Sequence, residues 1–423
     1  MPQSDSYDCV IIGGGPAGAT VGTLLAGFGH RALILERSHF PRHHIGESLM
    51  PQTYWTFKRL GMLDALKASD FPRKESVQFV SPSGDDSTPY FFTDRDAGEW
   101  STTWQVPRDK FDQMMLDNAR QHGAEVCEGA SVSEVIFEGD RAVGINVSMG
   151  GSMRRMNAKV VVDATGMSTL LSRQLGLREP NNRLRKAAIY GYYKGALRDK
   201  GRNAGATIII HTADRKGWFW FIPLPGDVVS VGVVAAPAYL CSGRGDDPSV
   251  TLNEEIAACP GIKRRLENAE RVSQAYVTSD YSYRAKRLAG DGWVLIGDAY
   301  GFLDPIYSAG VFLALKSGEL AADTIHEALD DNDVRGEMLG AFESRLTAGM
   351  HLIEQLVHVF YDRSFSFGEF NREHPEYKDH IVRLLIGDVF NDEVGAVFEV
   401  LGRYTNLDSH SVSERRNGKG ASL

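Results

Sequence analysis

A short apolar run, Asp8-Cys9-Val10-Ile11-Ile12, stops at Gly13-Gly14-Gly15-Pro16-Ala17-Gly18, and a helix-like stretch continues to near Gly29. This reads as strand, glycine turn, helix. At this spacing Gly13 permits the tight turn, Gly15 lets the backbone approach a pyrophosphate, and Gly18 lets helix and strand pack closely. The unpaired N–H groups at the start of such a helix stabilise phosphate charge. A second strand, Arg31 to Glu36, ends in an acid 18 residues beyond Gly18, where a carboxylate accepts the two hydroxyls of a ribose. A glycine-rich segment can also be a purely structural turn, but strand, helix and acid in register favour a dinucleotide site. Neither Gly150-Gly151 nor the Gly226 region forms a second such unit, so one dinucleotide is expected.

Two other groups of residues invite chemistry. Trp218 and Trp220 stand at i and i+2 in a strand-like run and therefore share a face, either as an aromatic core stripe or as a wall between two compartments. Ser308-Ala309-Gly310 precedes an apolar helical segment, Val311 to Leu329, whose first-turn N–H groups can hold an anion or the electron-rich edge of a ring; an ordinary N-cap on Ser308 is compatible with that. His43 and His44 are adjacent, with Glu47 the one acid near in sequence, and surface or supporting roles suit them better than a metal. Cys9, Cys127, Cys241 and Cys259 are dispersed and form no C-x-x-C pair, which reads as reduced packing residues rather than a disulfide framework or zinc site. No metal is expected.

The elements that must position these residues are legible in outline. The 423 residues, 43% hydrophobic and 24% charged, suffice for two or three structural units with a sizeable core. A net charge of -9 without a basic block argues against nucleic acid. The polar start, Met1 to Asp8, and the lack of a run of 18 apolar residues argue against a signal peptide or membrane span, so a cytoplasmic protein is expected. Gln105-Val106-Pro107-Arg108 precedes a helix read as capped by Asp109, and Val160 to Gly166 is a buried strand ending in a turn. Runs at Ile189 to Lys194, Thr207 to His211, Trp218 to Pro223, Val228 to Val234 and Val272 to Tyr283 suggest a mainly antiparallel sheet. From Arg335 to Tyr404 the pattern is helical, with Leu352, Leu356 and Phe360 at helical spacing, and Ser409 to Leu423 is polar and expected to be disordered.

With Trp293 to Gly310 reading WVLIGDAYGFLDPIYSAG, the chain resembles the FAD-dependent monooxygenase and halogenase superfamily over roughly residues 7 to 330. Within it the sequence is similar to flavin-dependent halogenases. Gly217-Trp218-Phe219-Trp220-Phe221-Ile222-Pro223 matches W-x-W-x-I-P, Phe302 to Gly310 matches F-x-x-P-x-x-S-x-G, and Lys74 stands where that family keeps its catalytic lysine. Tryptophan halogenases carry an acid where this shorter chain has Tyr307, so the likeness is to the branch acting on phenols, pyrroles or carrier-bound acyl groups.

The resemblance implies an α/β (α+β) fold with a discontinuous Rossmann-like FAD-binding domain (1-75, 105-182 and 285-335) and a mainly antiparallel substrate domain (76-104 and 183-284). A helical C-terminal cap (336-408) and a tail (409-423) complete it. FAD is expected to be held by Gly13, Gly14, Gly15, Ala17, Gly18, Glu36, Glu47 of the His44-Ile45-Gly46-Glu47-Ser48 loop, Arg108, Asp298 of the G-D motif, and Val311. Chloride or bromide is expected at Ala309 and Gly310, with Trp218 and Trp220 separating flavin from substrate. By itself Lys74 reads as a solvated surface lysine; the resemblance makes it the group that holds or captures hypohalous acid before electrophilic attack on an electron-rich ring. Reduced FAD is then a co-substrate supplied by a separate flavin reductase, and the aromatic substrate is free or tethered to a carrier protein. Asp280 is read either as a group approaching the flavin ring or as a plain sheet-edge acid. Other readings of this layout are a monooxygenase or geranylgeranyl reductase-like enzyme without halide chemistry, and a non-catalytic flavoprotein.

Overall fold

The first strand, Ser6–Ile12, has parallel neighbours on both sides, Ala32–Glu36 and the end of Ser152–Asp163. A strand buried on both faces must be apolar throughout, and Cys9 to Ile12, Leu33 to Leu35 and Val160 to Val162 are all nearly inaccessible. In this computed structural model, which describes residues 5–279, 282–362 and 365–405, the sheet extends to Glu125–Glu128 on one side and Trp293–Leu295 on the other, both parallel. Helix Pro16–Gly27 crosses between the first two strands and completes the expected strand–turn–helix–strand unit. Gly150 and Gly151, both at positive φ, turn the chain between Arg141–Met149 and the antiparallel start of Ser152–Asp163.

The second sheet runs Glu270–Arg271, Ala187–Lys194, Val228–Ala235, Gly217–Pro223, Thr207–His211, Ser76–Val80, Tyr90–Phe91. It is antiparallel except where Thr207–His211 lies parallel to Ser76–Val80. The run read as Val272 to Tyr283 divides: Tyr276–Ser279 joins this sheet, whereas Tyr283–Ala285 pairs with Arg178–Pro180 and Gly301–Phe302 in a three-stranded sheet. One face of the second sheet is a core of Ile208, Ile210, Phe219, Phe221, Val229, Val231 and Val233 packed with Leu252 and Ile262.

Two compact units divide at Ser344/Arg345, and both large sheets belong to the first. The second is helical, with Phe367–Glu373, Lys378–Ile386 and Val397–Leu401 following the long helix Glu343–Tyr361, on which Leu352 and Leu356 are buried. Among the described residues no helix is long and apolar enough to cross a membrane. The four cysteines are free; Cys9 and Cys259 are buried as packing residues, but Cys241 is exposed. Asp280 and the segment 409–423 lie outside the described residues.

Candidate active site

A cavity of about 410 Å³ opens at the C-terminal ends of the parallel strands and continues along the second sheet. Gly13, Gly15, Ala17 and Glu36 line one part of it, and Glu47, Arg108, Asp298, Gly310, Val311, Trp218 and Trp220 line others. The strand order places this cavity where parallel sheets bind nucleotides. Gly14, Gly18, Ala309 and Lys74 do not line it. Gly14 and Gly18 act one layer back. The Gly14 N–H donates to Glu36 Oε2 at 2.9 Å, and the Ser38 N–H donates to Oε1, so the acid is held by the turn it serves.

Arg108 is nearly inaccessible and paired bidentately with Asp112 one helical turn on, Nε to Oδ1 at 2.7 Å and Nη2 to Oδ2 at 3.0 Å. Its Nη1 donates to the Ile45 carbonyl at 2.6 Å, which ties the 44–48 loop to helix Arg108–Gln121. The helix begins at Arg108 itself. Pro107 is the N-cap, and Asp109 sits inside the first turn with its carboxylate on the Lys110 N–H, so the expected Asp109 cap is corrected: proline's fixed φ starts the helix two residues earlier. Asp112 was not read from sequence, although an acid four residues after a buried arginine on a helix is the signal for such a pair.

Glu47 is 2% exposed, and its Oε2 has no hydrogen-bond partner. Burial pushes its carboxyl up to about 7 against the opposing hydrogen bonds of Tyr192 and Ser230 and the charge of Arg108. Ser230 also accepts from Trp220 Nε1 at 3.1 Å, so one hydroxyl links the acid to the indole. Burial likewise raises Asp298 to about 7, opposed by Arg108. Exposed His43 stacks on Tyr276 at 4.3 Å, and His44 bonds the Ile45 carbonyl. Among the described residues, the one trio with metal-ligand spacing is His30, His326 and Asp330, outside the cavity lining, where the two rings hydrogen-bond each other at 2.8 Å.

The two readings of the tryptophans separate by strand alternation. Phe219 and Phe221 point into the sheet core, while Trp218, Trp220 and Ile222 line the cavity on the opposite face. The indole centroids lie 6.2 Å apart with a 56° tilt. Gly232 makes room for this layer: a Cβ there would meet Trp220 Cζ2 at 2.3 Å and Tyr190 Cβ at 2.5 Å. Gly232→Ala is therefore expected to turn the Trp220 ring away from Ser230, shift tryptophan fluorescence, and cut product severalfold, as overpacking costs of about 1–3 kcal/mol imply. Unchanged fluorescence and product would show that the wall tolerates displacement.

Helix Ala309–Asp330 starts two residues before the expected Val311. Ser308 occupies its N-cap position in the left-handed region, φ 59°, and makes no side-chain cap, unlike an ordinary serine cap. A non-glycine residue there stores strain, which fits a turn held for function. Gly310 lines the cavity, and Ala309 is buried beside it.

Lys74 is 4% exposed, which overturns the surface reading. It lies on a two-residue strand paired with Thr103–Trp104, and its ammonium donates to Ser48 Oγ at 2.8 Å and to the Leu49 carbonyl at 2.9 Å. Burial alone pulls the amine down to about 7. An unfolded lysine titrates near 10.5, so between about pH 7 and 10.5 only the unfolded chain holds this proton. Wild-type stability should therefore rise with pH across that window relative to Lys74→Met, by up to about 1.4 kcal/mol per pH unit, and run parallel to it below pH 7. Urea unfolding of both proteins at pH 6, 7, 8 and 9 checks this; parallel curves throughout would mean that the amine stays charged.

The tryptophan halogenase family model matches residues 8–93 and 86–372. The chain belongs to the tryptophan halogenase family. It is 35% identical over 396 residues, 93% of the chain and 95% of the relative, to a 1H-pyrrole-2-carbonyl-[peptidyl-carrier protein] brominase of Pseudoalteromonas luteoviolacea. It is 32% identical, over 95% of the chain and 93% of the relative, to the corresponding chlorinase of Pseudomonas fluorescens. The solved structure of the flavin-dependent brominase Bmp2 superposes with a TM-score of 0.85 at 31% identity, covering 98% of this chain and all of that one. This family member is thus an FAD-dependent oxidoreductase of the flavin-dependent halogenases, which use FAD together with halide.

The cavity suits that cofactor. The glycine turn and Glu36 offer a pyrophosphate and ribose cradle, and Glu47, whose buried Oε2 has no hydrogen-bond partner, and the half-buried Asp298 line the same cavity.

Proposed function

We propose that this halogenase acts on a pyrrole-type ring carried as an acyl group on a peptidyl carrier protein. The observation that carries this reading is the full-length match to two relatives that both act on such a substrate, one a brominase and one a chlorinase. Tyr307, where tryptophan halogenases carry an acid, points the same way.

Gly13, Gly15, Ala17, Glu36, Glu47, Arg108, Asp298 and Val311 would hold FAD, with Gly14 and Gly18 supporting the glycine turn from behind. Reduced FAD, delivered by a separate flavin reductase, supplies with oxygen the oxidising equivalent that converts halide to hypohalous acid. The first-turn N–H groups around Ala309 and Gly310 concentrate the halide. Trp218 and Trp220 keep the ring of the substrate from the flavin, so hypohalous acid is what crosses. The neutral Lys74 amine captures its halogen, exchanging an N–H for an N–halogen bond as the oxygen leaves with that proton as water, and hands the halogen to the ring, whose lost proton restores the amine. Lys74 lying outside the cavity lining supports this separation of compartments. The free cysteines and the dependence on a reductase favour a cytoplasmic setting.

The test supplies FAD, a reductase with NADH, oxygen and bromide, together with pyrrole-2-carbonyl carrier protein or free pyrrole-2-carboxylate, read by mass spectrometry. A bromine isotope doublet on the carrier-bound acyl group alone supports the proposal. Equal bromination of the free acid would remove the carrier from it, and hydroxylation without halide would remove halogenation.

A further inference from the structure

Ser48 and Thr207 line the cavity, and Lys74 stands directly behind them in a continuous hydrogen-bonded chain. Lys74 Nζ donates to Ser48 Oγ at 2.8 Å, Ser48 Oγ and Thr207 Oγ1 are 2.8 Å apart, and Gln105 Nε2 donates to Thr207 Oγ1 at 2.9 Å. The orientation of Gln105 is fixed, because its other Nε2 proton goes to the Gly205 carbonyl at 2.9 Å, which can only accept. All four side chains are buried, Gln105 at 0% exposure.

Counting protons shows what the chain has left to offer. The ammonium and the amide N–H groups can only donate, so both hydroxyl oxygens already accept from fixed donors. The two hydroxyls carry one proton each, and their mutual bond uses only one. The other has no protein acceptor among the described residues, and both residues line the cavity. Whichever way the Ser48–Thr207 bond runs, one O–H donor is presented to whatever occupies the cavity.

We propose that Ser48 and Thr207, held by Gln105, form a polarised relay through which the Lys74 ammonium exchanges a proton with an anionic oxygen of the reactant in the cavity. This rests on the halogenase reading of Lys74. In the transfer an N–H bond of Lys74 breaks as an O–H bond forms on Ser48; Ser48 passes its own proton to Thr207, and Thr207 passes its own to the oxygen anion. The products are a neutral amine and a neutral O–H, with no change in oxidation state. The amine then has the lone pair that capture of an electrophilic halogen requires. The depressed titration of Lys74 supports the exchange, since ammonium and amine are then nearly equal in free energy at neutral pH. Charged neighbours do not take its place: Glu75 is turned to Arg202 at 3.4 Å, Arg73 stacks over Trp104, and Glu47, Arg108 and Asp298 line the cavity itself.

Thr207→Val keeps the shape of the side chain and removes the hydroxyl; Thr207→Ser keeps the hydroxyl. Thr207→Val should lower the bromination rate about tenfold or more, within the range of positioned proton-transfer groups, and shift its pH profile, while Thr207→Ser stays within about twofold of wild type. Dissociation constants for FAD should be unchanged in both. A lysine ¹³Cε NMR titration gives a second readout that needs no turnover: Ser48→Ala should lower the Lys74 titration midpoint, because the ammonium loses an acceptor. Wild-type rates and pH profile in Thr207→Val, or equal losses in the valine and serine variants, would overturn the relay. If the wild type brominates no aromatic, the functional reading fails, and an unmoved Lys74 midpoint in Ser48→Ala would then overturn the relay separately.

Discussion

Lys74→Met should cut halogenated product by about 10²- to 10⁴-fold, the range contributed by positioned proton-transfer groups, with FAD affinity within about twofold of wild type. The separation follows from position. Lys74 touches Ser48, the Leu49 carbonyl and, at 5.9 Å, the Phe92 ring, but none of the residues lining the glycine-turn end of the cavity. Methionine fills nearly the same volume, so the pocket does not collapse. Oxygen consumption by reduced protein should continue, and the oxidant formed should escape to solution, where a dimedone-type trap detects it as halogenated trap. Lys74→Arg is expected to fail as well, because a guanidinium keeps its proton and cannot become the neutral amine. Full product yield from Lys74→Met would remove the residue from the mechanism, and loss of FAD binding would recast it as a structural element.

How much of this was legible in the sequence depended on whether function was encoded locally. The glycine turn and Glu36 lie within one strand–helix–strand unit, so spacing alone is enough to single them out. For Trp218 and Trp220, alternation puts two residues on one face without saying which face is the core, so spacing leaves their role to the resemblance; Phe219 and Phe221 on the other side decide the face. The Asp109 cap was misplaced because Pro107 competes for the same role. Lys74 reads as a surface residue in isolation, and its burial depends on Thr103–Trp104 closing over it from 29 residues away. The hydroxyl relay is least legible. Ser48, Gln105 and Thr207 are ordinary polar residues, drawn together only by tertiary pairing; the faint trace is a single Thr opening the otherwise apolar run Ile208 to Ile210.

The second large effect concerns Gly18, which never touches the cavity. A Cβ on Gly18 would lie 1.9 Å from the Gly13 carbonyl oxygen and 3.3 Å from Ala164 Cβ. Gly13 cannot retreat: it holds φ +108°, its N–H is bonded to the Leu35 carbonyl at 2.8 Å, and any shift toward Ala164 meets backbone. The Cβ, which no rotation can move, collides with main chain, so it opens the contact between helix Pro16–Gly27 and its strand. Gly18→Ala should therefore weaken FAD binding about 100-fold or more, equivalent to roughly 2.7 kcal/mol or more, and lower thermal stability of the apoprotein as well. Gly27, at the exposed end of the same helix, is the matched control: its Cβ would meet nothing within 4 Å. Gly27→Ala should leave FAD affinity unchanged and stabilise the helix by about 0.5–1 kcal/mol. The pair separates helix propensity from close approach, because the same substitution in one helix is predicted to act with opposite sign. Titration by flavin fluorescence and a thermal melt on each variant suffice. Gly18→Ala binding FAD within about tenfold of wild type, a difference of roughly 1.4 kcal/mol, would mean that the turn adapts and that the phosphate site does not depend on the closeness of helix and strand.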